Sequence, residues 1–284
     1  MITGEPSQTA LLAAAARAAH LIVDGQPPIF ADTLAYELLG DKAEEFVRYH
    51  RLHGEHVVLV GARAAATIRS HFTEGRLVEA AGRGVTQYVI LGAGLDTFAY
   101  RQPVVERLRV FEVDHPSTQG WKRTALDAAG IEVPENLVFA PVDLETEPVV
   151  PHLIGGGFDA AAPAFVSWLG VVVYLTREAI DETLTAIGAL ASGTEIVLDY
   201  MLPETLRDEA GQTYVDLVAP ASAERGEPWL TFLGPEEMAD ILREHGFEVI
   251  RHAGQRDAVD PALWDRADSL RPSGLSMLTH ARVR

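Results

Sequence analysis

Apolar positions along the chain follow two rhythms. In the first third, the segments 9–20, 44–68 and 76–81 join strong helix formers to apolar positions three or four apart, and they predict helices. Gly82 and Gly84 close this part. From Gln87 the texture changes to short apolar runs of strand length: 87–92 (QYVILG), 109–114 (RVFEVD), 137–143 (LVFAPVD), 164–170 (AFVSWLG), 195–200 (EIVLDY), 247–252 (FEVIRH) and 275–283 (LSMLTHARV). Most are rich in Val, Ile or aromatic residues, which suits a pleated, buried surface. Helical spacing returns between them. One segment, 119–129, stops at Gly130. Another, 177–190, follows Thr176 as N-cap and sets Ile180, Leu184, Ile187 and Leu190 on one face. A third starts at Gly234-Pro235-Glu236-Glu237, with proline near its first position and acids in its first turn, and stops at Gly246. The stretch 202–233 contains Pro203, Pro220 and Pro228 and reads as a longer, mixed insertion.

Strands alternating with helices predict βαβ units and a parallel sheet, and nearly unbroken apolar strands suit a sheet covered on both faces. The expected architecture is α/β: a Rossmann-like, seven-stranded, mostly parallel sheet with an N-terminal helical lid and an insertion after the fifth strand. One domain is expected over 1–284, divided into a helical extension (1–84), a ligand-binding core (85–200), a lid insertion (201–234) and a C-terminal part of the core (235–284).

Composition narrows the function. The 23 Lys and Arg against 41 Asp and Glu give a net charge of −18. Such a surface repels the phosphate backbone and gains nothing from anionic lipid, so neither nucleic acid nor membrane is an expected partner. With no cysteine, a disulfide framework, a thiolate nucleophile and a Cys-type zinc site are excluded. The hydrophobic share, 48%, belongs to a folded chain and not to an acidic disordered one. Residues 1–16 carry no Lys or Arg, and the uncharged stretch 160–176 is shorter than the roughly 20 residues a spanning helix needs. A soluble cytoplasmic protein is the expectation.

The chemistry centres on Gly92-Ala93-Gly94-Leu95-Asp96-Thr97, directly after the first core strand. Glycines at a strand-to-helix turn let the backbone approach a ligand closely. A dinucleotide fold wants a third small residue to admit a pyrophosphate, and here Thr97 and the bulky Phe98 take that place. Asp114 ends the next strand, 20 residues after Gly94, where an acid accepts from both ribose hydroxyls. Glu112 shares its face by the period of two. Asp143 and Leu144 end the third strand, suited to an adenine amino group and ring. Together these features point to an adenosyl ligand without a pyrophosphate, S-adenosylmethionine (SAM). Its carboxylate needs a cation, and Arg69 stands just before the core.

With these segments in view, the chain resembles the leucine carboxyl methyltransferase-like branch of class I SAM-dependent methyltransferases, and in particular its actinobacterial O-methyltransferase subgroup. The resemblance rests on 87–101 (QYVILGAGLDTFAYR), 110–116 (VFEVDHP), 140–145 (APVDLE) and 167–176 (SWLGVVVYLT). It implies that Gly92, Ala93 and Gly94 hold the methionine part of SAM, Asp114 the ribose, Asp143 and Leu144 the adenine end, and Arg69 the carboxylate. Two positions depart from the pattern. Eukaryotic members carry a glutamate where Leu169 stands, which leaves the SAM ammonium to Ser167 or a backbone carbonyl. Bacterial relatives often carry a second arginine where His71 stands.

A sulfonium favours aromatic faces, which makes Trp168, Tyr174 and, beside them, His20 pocket candidates. An anionic acceptor would approach against the overall charge, so a local basic pocket is expected from Arg69, His20, Arg63 and the histidines at 50, 53 and 56. Those three histidines suggest a metal site only weakly, because Gly54 interrupts them, and none is expected. The leading expectation is an O-methyltransferase acting on a small, natural-product-like acceptor, with a carboxyl group favoured and a phenol or enol hydroxyl next, as a monomer or homodimer. The alternatives are a SAM-binding regulatory protein without transfer and a nicotinamide-dependent oxidoreductase.

Overall fold

The seven strand-length runs form one sheet in the computed structural model, which describes residues 7–101 and 106–284. Residues 1–6 of the N-terminal stretch without Lys or Arg lie outside the described residues. The strands are β1 (Gln87–Leu91), β2 (Arg109–Asp114), β3 (Leu137–Pro141), β4 (Phe165–Trp168), β5 (Glu195–Met201), β6 (Phe247–Gly254) and β7 (Ser276–Val283). Their order is β3-β2-β1-β4-β5-β7-β6. Only β7 runs antiparallel to its neighbours, so the sheet is mostly parallel as expected. Every residue of β1 is buried, because helices cover both faces. One face packs Val89, Phe111, Val166 and Trp168, and the other packs Tyr88, Ile90, Val110 and Phe165. The chain order reverses between β1 and β4, and in open α/β sheets the crevice at such a switch point receives the ligand.

Ten α-helices are seen among the described residues: α1 (Gln8–Val23), α2 (Ala35–Leu38), α3 (Ala43–His53), α4 (Val57–Gly82), α5 (Phe98–Arg101), α6 (Pro116–Ala128), α7 (Val149–Gly155), α8 (Arg177–Gly188), α9 (Glu209–Glu224) and α10 (Pro235–Glu244). The expected helix over 44–68 is two helices, and its second half continues through 76–81 as one long α4. The break lies at Gly54, whose carbonyl turns to Arg63 Nη2 at 2.8 Å. His56 is extended there, and its ring Nδ1 accepts from the Val58 N–H at 3.3 Å, starting α4. The mixed stretch 202–233 contains the 16-residue α9, with Pro220 inside it. Its cap is tertiary: Asp208 accepts from Gly211 N–H and from Gly274 N–H, both at 2.7 Å. Among the described residues no helix is long and apolar enough to cross a membrane.

Candidate functional site at the C-terminal edge of the sheet

The loop after β1 is held by its own backbone geometry. Gly92 has φ +67° and Gly94 φ +49°, the left-handed region that side chains avoid. A Cβ on Gly92 would lie 2.3 Å from Val171 Cγ2, and one on Gly94 would lie 3.1 Å from Ala10 Cβ. The loop is stitched to β2. Ala93 N–H donates to the Val113 carbonyl at 3.0 Å. Gly94 N–H donates to Asp114 Oδ2, and His115 N–H to Oδ1 at 2.7 Å. Burial pushes the Asp114 carboxyl up, and these two amides pull it back. Asp96 then turns the chain by accepting from Phe98 N–H at 2.8 Å. The next helix therefore begins four residues past Gly94, with buried Thr97 ahead of it, and offers no helix N-terminus for a pyrophosphate.

The end of β3 lies beside Asp114, whose carbonyl accepts from Val142 N–H at 2.9 Å. Asp143 Oδ1 accepts from Glu145 N–H at 3.0 Å in a tight turn, and Leu144 is half-buried against the core. Thus Gly92–Gly94, Asp114 and Asp143 stand in a row at the ends of β1, β2 and β3.

On the other side of the switch point lies Arg69 of α4. Its guanidinium rests against Gly170 (φ +70°), where a Cβ would come within 2.5 Å of Nη1. Its one ion-pair partner among the described residues is Asp199 Oδ2 at 3.5 Å, and no hydrogen bond to it is formed there. Asp199 lies in the C-terminal half of β5, is buried, and accepts from Gly170 N–H at 2.5 Å. The sequence reading passed over Asp199 as one more strand residue. Unlike Asp114, it does not close its strand, since Tyr200 and Met201 follow it in β5.

Several predicted residues are placed elsewhere. Glu112 does share a face with Asp114, but its side chain is enclosed and paired with Lys122 Nζ at 2.7 Å. Burial still pushes its carboxyl up to about 6. The Ser167 hydroxyl is enclosed with the Tyr88 hydroxyl at 2.8 Å. Trp168 is fully buried in the core, away from any surface. His20 sits within a buried polar network: Nδ1 meets Asp24 Oδ2 at 2.9 Å and Nε2 accepts from Ile29 N–H at 2.9 Å. Arg63 grips the same Asp24, with Nε at 2.8 Å and Nη2 at 3.0 Å, and contacts His50 Nδ1 at 3.2 Å. His20 and Arg63 are thus paired with Asp24, His50 is buried against Arg63, and the three do not form the expected basic pocket. Among the described residues no group of His and acidic side chains is arranged to hold a metal.

The helical cap is tied to the loop by buried charges. Arg17 of α1 donates to Asp32 Oδ2 at 2.7 Å and to the Leu95 carbonyl at 2.6 Å. Arg101 joins Asp32, Glu74 and Thr97, and lies 4.6 Å from the centre of the Phe30 ring. At the start of α1, Ser7 Oγ donates to Glu227 Oε1 at 2.7 Å and Thr9 N–H to Oε2 at 3.2 Å. Half-buried Tyr174 lies near this clamp, and burial pushes its phenol up. The insertion follows: Leu230 N–H donates to the Val173 carbonyl at 2.7 Å, and Trp229 stacks on Tyr214. A separate surface depression of about 430 Å³ at Val57, Asp208 and Thr213 includes no residue of the glycine loop.

The adenosyl reading fits this edge. The glycine loop takes a left-handed, side-chain-free path at the end of β1, Asp114 and Asp143 offer acceptors, and Arg69 keeps unused donors. Known proteins agree. The family model for leucine carboxyl methyltransferase matches residues 10–188. A Bacillus subtilis (strain 168) protein, "Putative S-adenosyl-L-methionine-dependent methyltransferase YktD", is 33% identical over 95% of this chain and 95% of its own length. A Mycobacterium avium (strain 104) protein, also named "Putative S-adenosyl-L-methionine-dependent methyltransferase", is 28% identical over 87% of this chain and 85% of its own. Among solved structures, "a putative methyltransferase from Thermobifida fusca YX" superposes with a TM-score of 0.61 at 20% identity, covering all of this chain and 97% of that one. That likeness shows the shared α/β methyltransferase fold. A family match over residues 10–188, carried on this fold with the glycine loop and its strand-end acids in place, assigns the chain to the leucine carboxyl methyltransferase family.

Proposed function

We propose that this protein is a SAM-dependent O-methyltransferase for a small, natural-product-like acceptor, with a carboxylate as preferred nucleophile and a phenol or enol hydroxyl next. The observation that carries the donor reading is the pairing, across the switch point, of a glycine loop that excludes a Cβ with an arginine holding unused donors. When bound, SAM supplies an electrophilic methyl group on a sulfonium. The chain's own work is then to bind, align and exclude water. Gly92–Gly94 let the backbone approach, Asp114 accepts from the ribose hydroxyls, and Asp143 and Leu144 bound the adenine end. The α1 start packs on the loop at Ala10 and is clamped to the insertion through Glu227.

The acceptor preference follows from which bases are at hand. A carboxylate is already ionised at neutral pH, whereas a phenol needs its proton taken. His20 and His50, the bases expected near the pocket, are locked into the network around Asp24, and burial with Arg63 holds His50 down to about 4. Tyr174 near the clamp is held as a neutral phenol, able to donate to an anionic acceptor but not to deprotonate one.

Calorimetric titration with SAM and with NADH tests the donor. Binding of SAM is expected, and binding of NADH alone would sink the reading. The acceptor class is read from the methylated product, since a methyl ester hydrolyses in mild base and an aryl methyl ether survives it.

A further inference from the structure

We infer that Asp199 is the acceptor for the ammonium group of the donor's methionine end, so that Arg69 and Asp199 together read an amino-acid zwitterion. This rests on the donor reading above and extends it to a residue that neither motif nor composition marks.

Three observations carry it. First, Asp199 is a buried carboxylate that is only partly satisfied. It is 6% exposed, yet its hydrogen bond among the described residues is the one from Gly170 N–H to Oδ1. Its other oxygen faces Arg69 Nη1 at 3.5 Å, an ion pair without a hydrogen bond. Two carboxylate oxygens offer about four lone-pair sites, and a desolvated charge gains from filling them. An ammonium brings three donors. Second, the place is right. Trp168 pairs with Leu198 across β4 and β5, so Asp199 is the first residue beyond that pair at the sheet's C-terminal edge. Gly170 touches Arg69, and Val171 presses on Gly92, so a short run of contacts joins the Arg69–Asp199 pair to the glycine loop. Third, the side-chain acceptors that the sequence offered at 167 and 169 are closed off. The Ser167 hydroxyl is enclosed with Tyr88, and position 169 carries an apolar leucine packed against the core. A cation and an anion held side by side, each with capacity left over, match the carboxylate and ammonium on one α-carbon.

The test is calorimetric and uses the full chain. The ligands are S-adenosylhomocysteine, its 2-oxo analogue, which keeps the carboxylate and lacks the amine, and 5′-methylthioadenosine, which lacks both. Asp199→Asn keeps an oxygen for Gly170 N–H while losing the charge. It is expected to weaken S-adenosylhomocysteine by about ten- to a hundredfold, the worth of one hydrogen bond to a charged group. It should leave methylthioadenosine within about twofold and should not weaken the 2-oxo analogue, whose carboxylate meets Arg69 released from its ion pair. Equal weakening of all three ligands would make Asp199 a purely structural residue and overturn the inference. So would undiminished binding of S-adenosylhomocysteine. If the wild-type chain binds none of the adenosyl ligands, the donor reading fails and this inference with it; the wild-type titration therefore separates the two failures. Should Asp199→Asn not fold, by circular dichroism and melting, Asp199→Ser is the second variant, with the same pattern expected across the three ligands and the same results overturning it.

Discussion

Gly92→Ala separates backbone strain from steric contact in the loop on which the site is built. Two costs add at this position. An L-residue at φ +67° loses about 1–2 kcal/mol relative to glycine. The new methyl would also stand 2.3 Å from Val171 Cγ2, and forcing a methyl into packed surroundings costs about 1–3 kcal/mol. The expected destabilisation is therefore about 2–5 kcal/mol. In melting experiments on a chain of 284 residues, each kcal/mol lowers Tm by roughly 2 °C. Val171→Ala removes the methyl that Gly92→Ala would strike. The double variant should recover the steric share and retain the backbone share of about 1–2 kcal/mol, so the two substitutions are non-additive. Urea unfolding of wild type, both single variants and the double variant measures this cycle. A Gly92→Ala chain within about 0.5 kcal/mol of wild type would refute the left-handed loop. Strict additivity would refute the contact with Val171.

Other outcomes follow from the same geometry. Asp114→Ala removes the acceptor that anchors Gly94 and that the proposed function gives to the ribose; SAM binding by calorimetry should be abolished, and near-native affinity would count against the assignment. Arg17→Met leaves buried Asp32 with the Arg101 contact at 3.7 Å as its remaining ion pair among the described residues, beside the Leu34 and Ala35 amides, and should cost about 3–5 kcal/mol in urea unfolding. His50 is held at about 4 against an ordinary 6.5, so the folded chain resists protonating it. Its contribution is complete above pH 6.5 and is lost as pH falls toward 4, by about 3 kcal/mol in all. His50→Gln should flatten the stability profile across that window; an unchanged slope would refute the assignment. Chelator treatment should leave methyl transfer undiminished, because His50, His53 and His56 divide between a buried network, an exposed helix end and the cap of α4.

The strands were legible because each is an apolar run bounded by polar or turn residues, and burial on both faces of a parallel sheet demands that pattern. The glycine loop and Asp114 were legible for a related reason. A ligand-binding crevice at strand ends depends on local features, a backbone that must turn left-handed and an acid one strand away. Helix limits in the N-terminal third were less legible. The break at Gly54 depends on Arg63, nine residues on, capturing a carbonyl. Helix α9 depends on Asp208 bridging to Gly274 across the chain.

Side-chain duty is where tertiary structure decided the outcome. Glu112 and Asp114 lie two residues apart on one strand face, so sequence treats them alike. Lys122 of α6 reaches only Glu112 and encloses it, while the loop amides meet Asp114 at the open edge. His20 and Arg63 suggested a basic pocket by type alone, and Asp24 turned them into a neutral brace. Asp199 gained its place only when α4 brought Arg69 against Gly170, over a hundred residues away in sequence. By itself, the sequence determined the sheet, its glycine turn and the acids at the ends of β2 and β3, because periodicity and φ preferences are properties of short segments. Which charges face the crevice and which cancel inside was decided by tertiary packing, since pairing energies depend on distance and desolvation that no local pattern encodes.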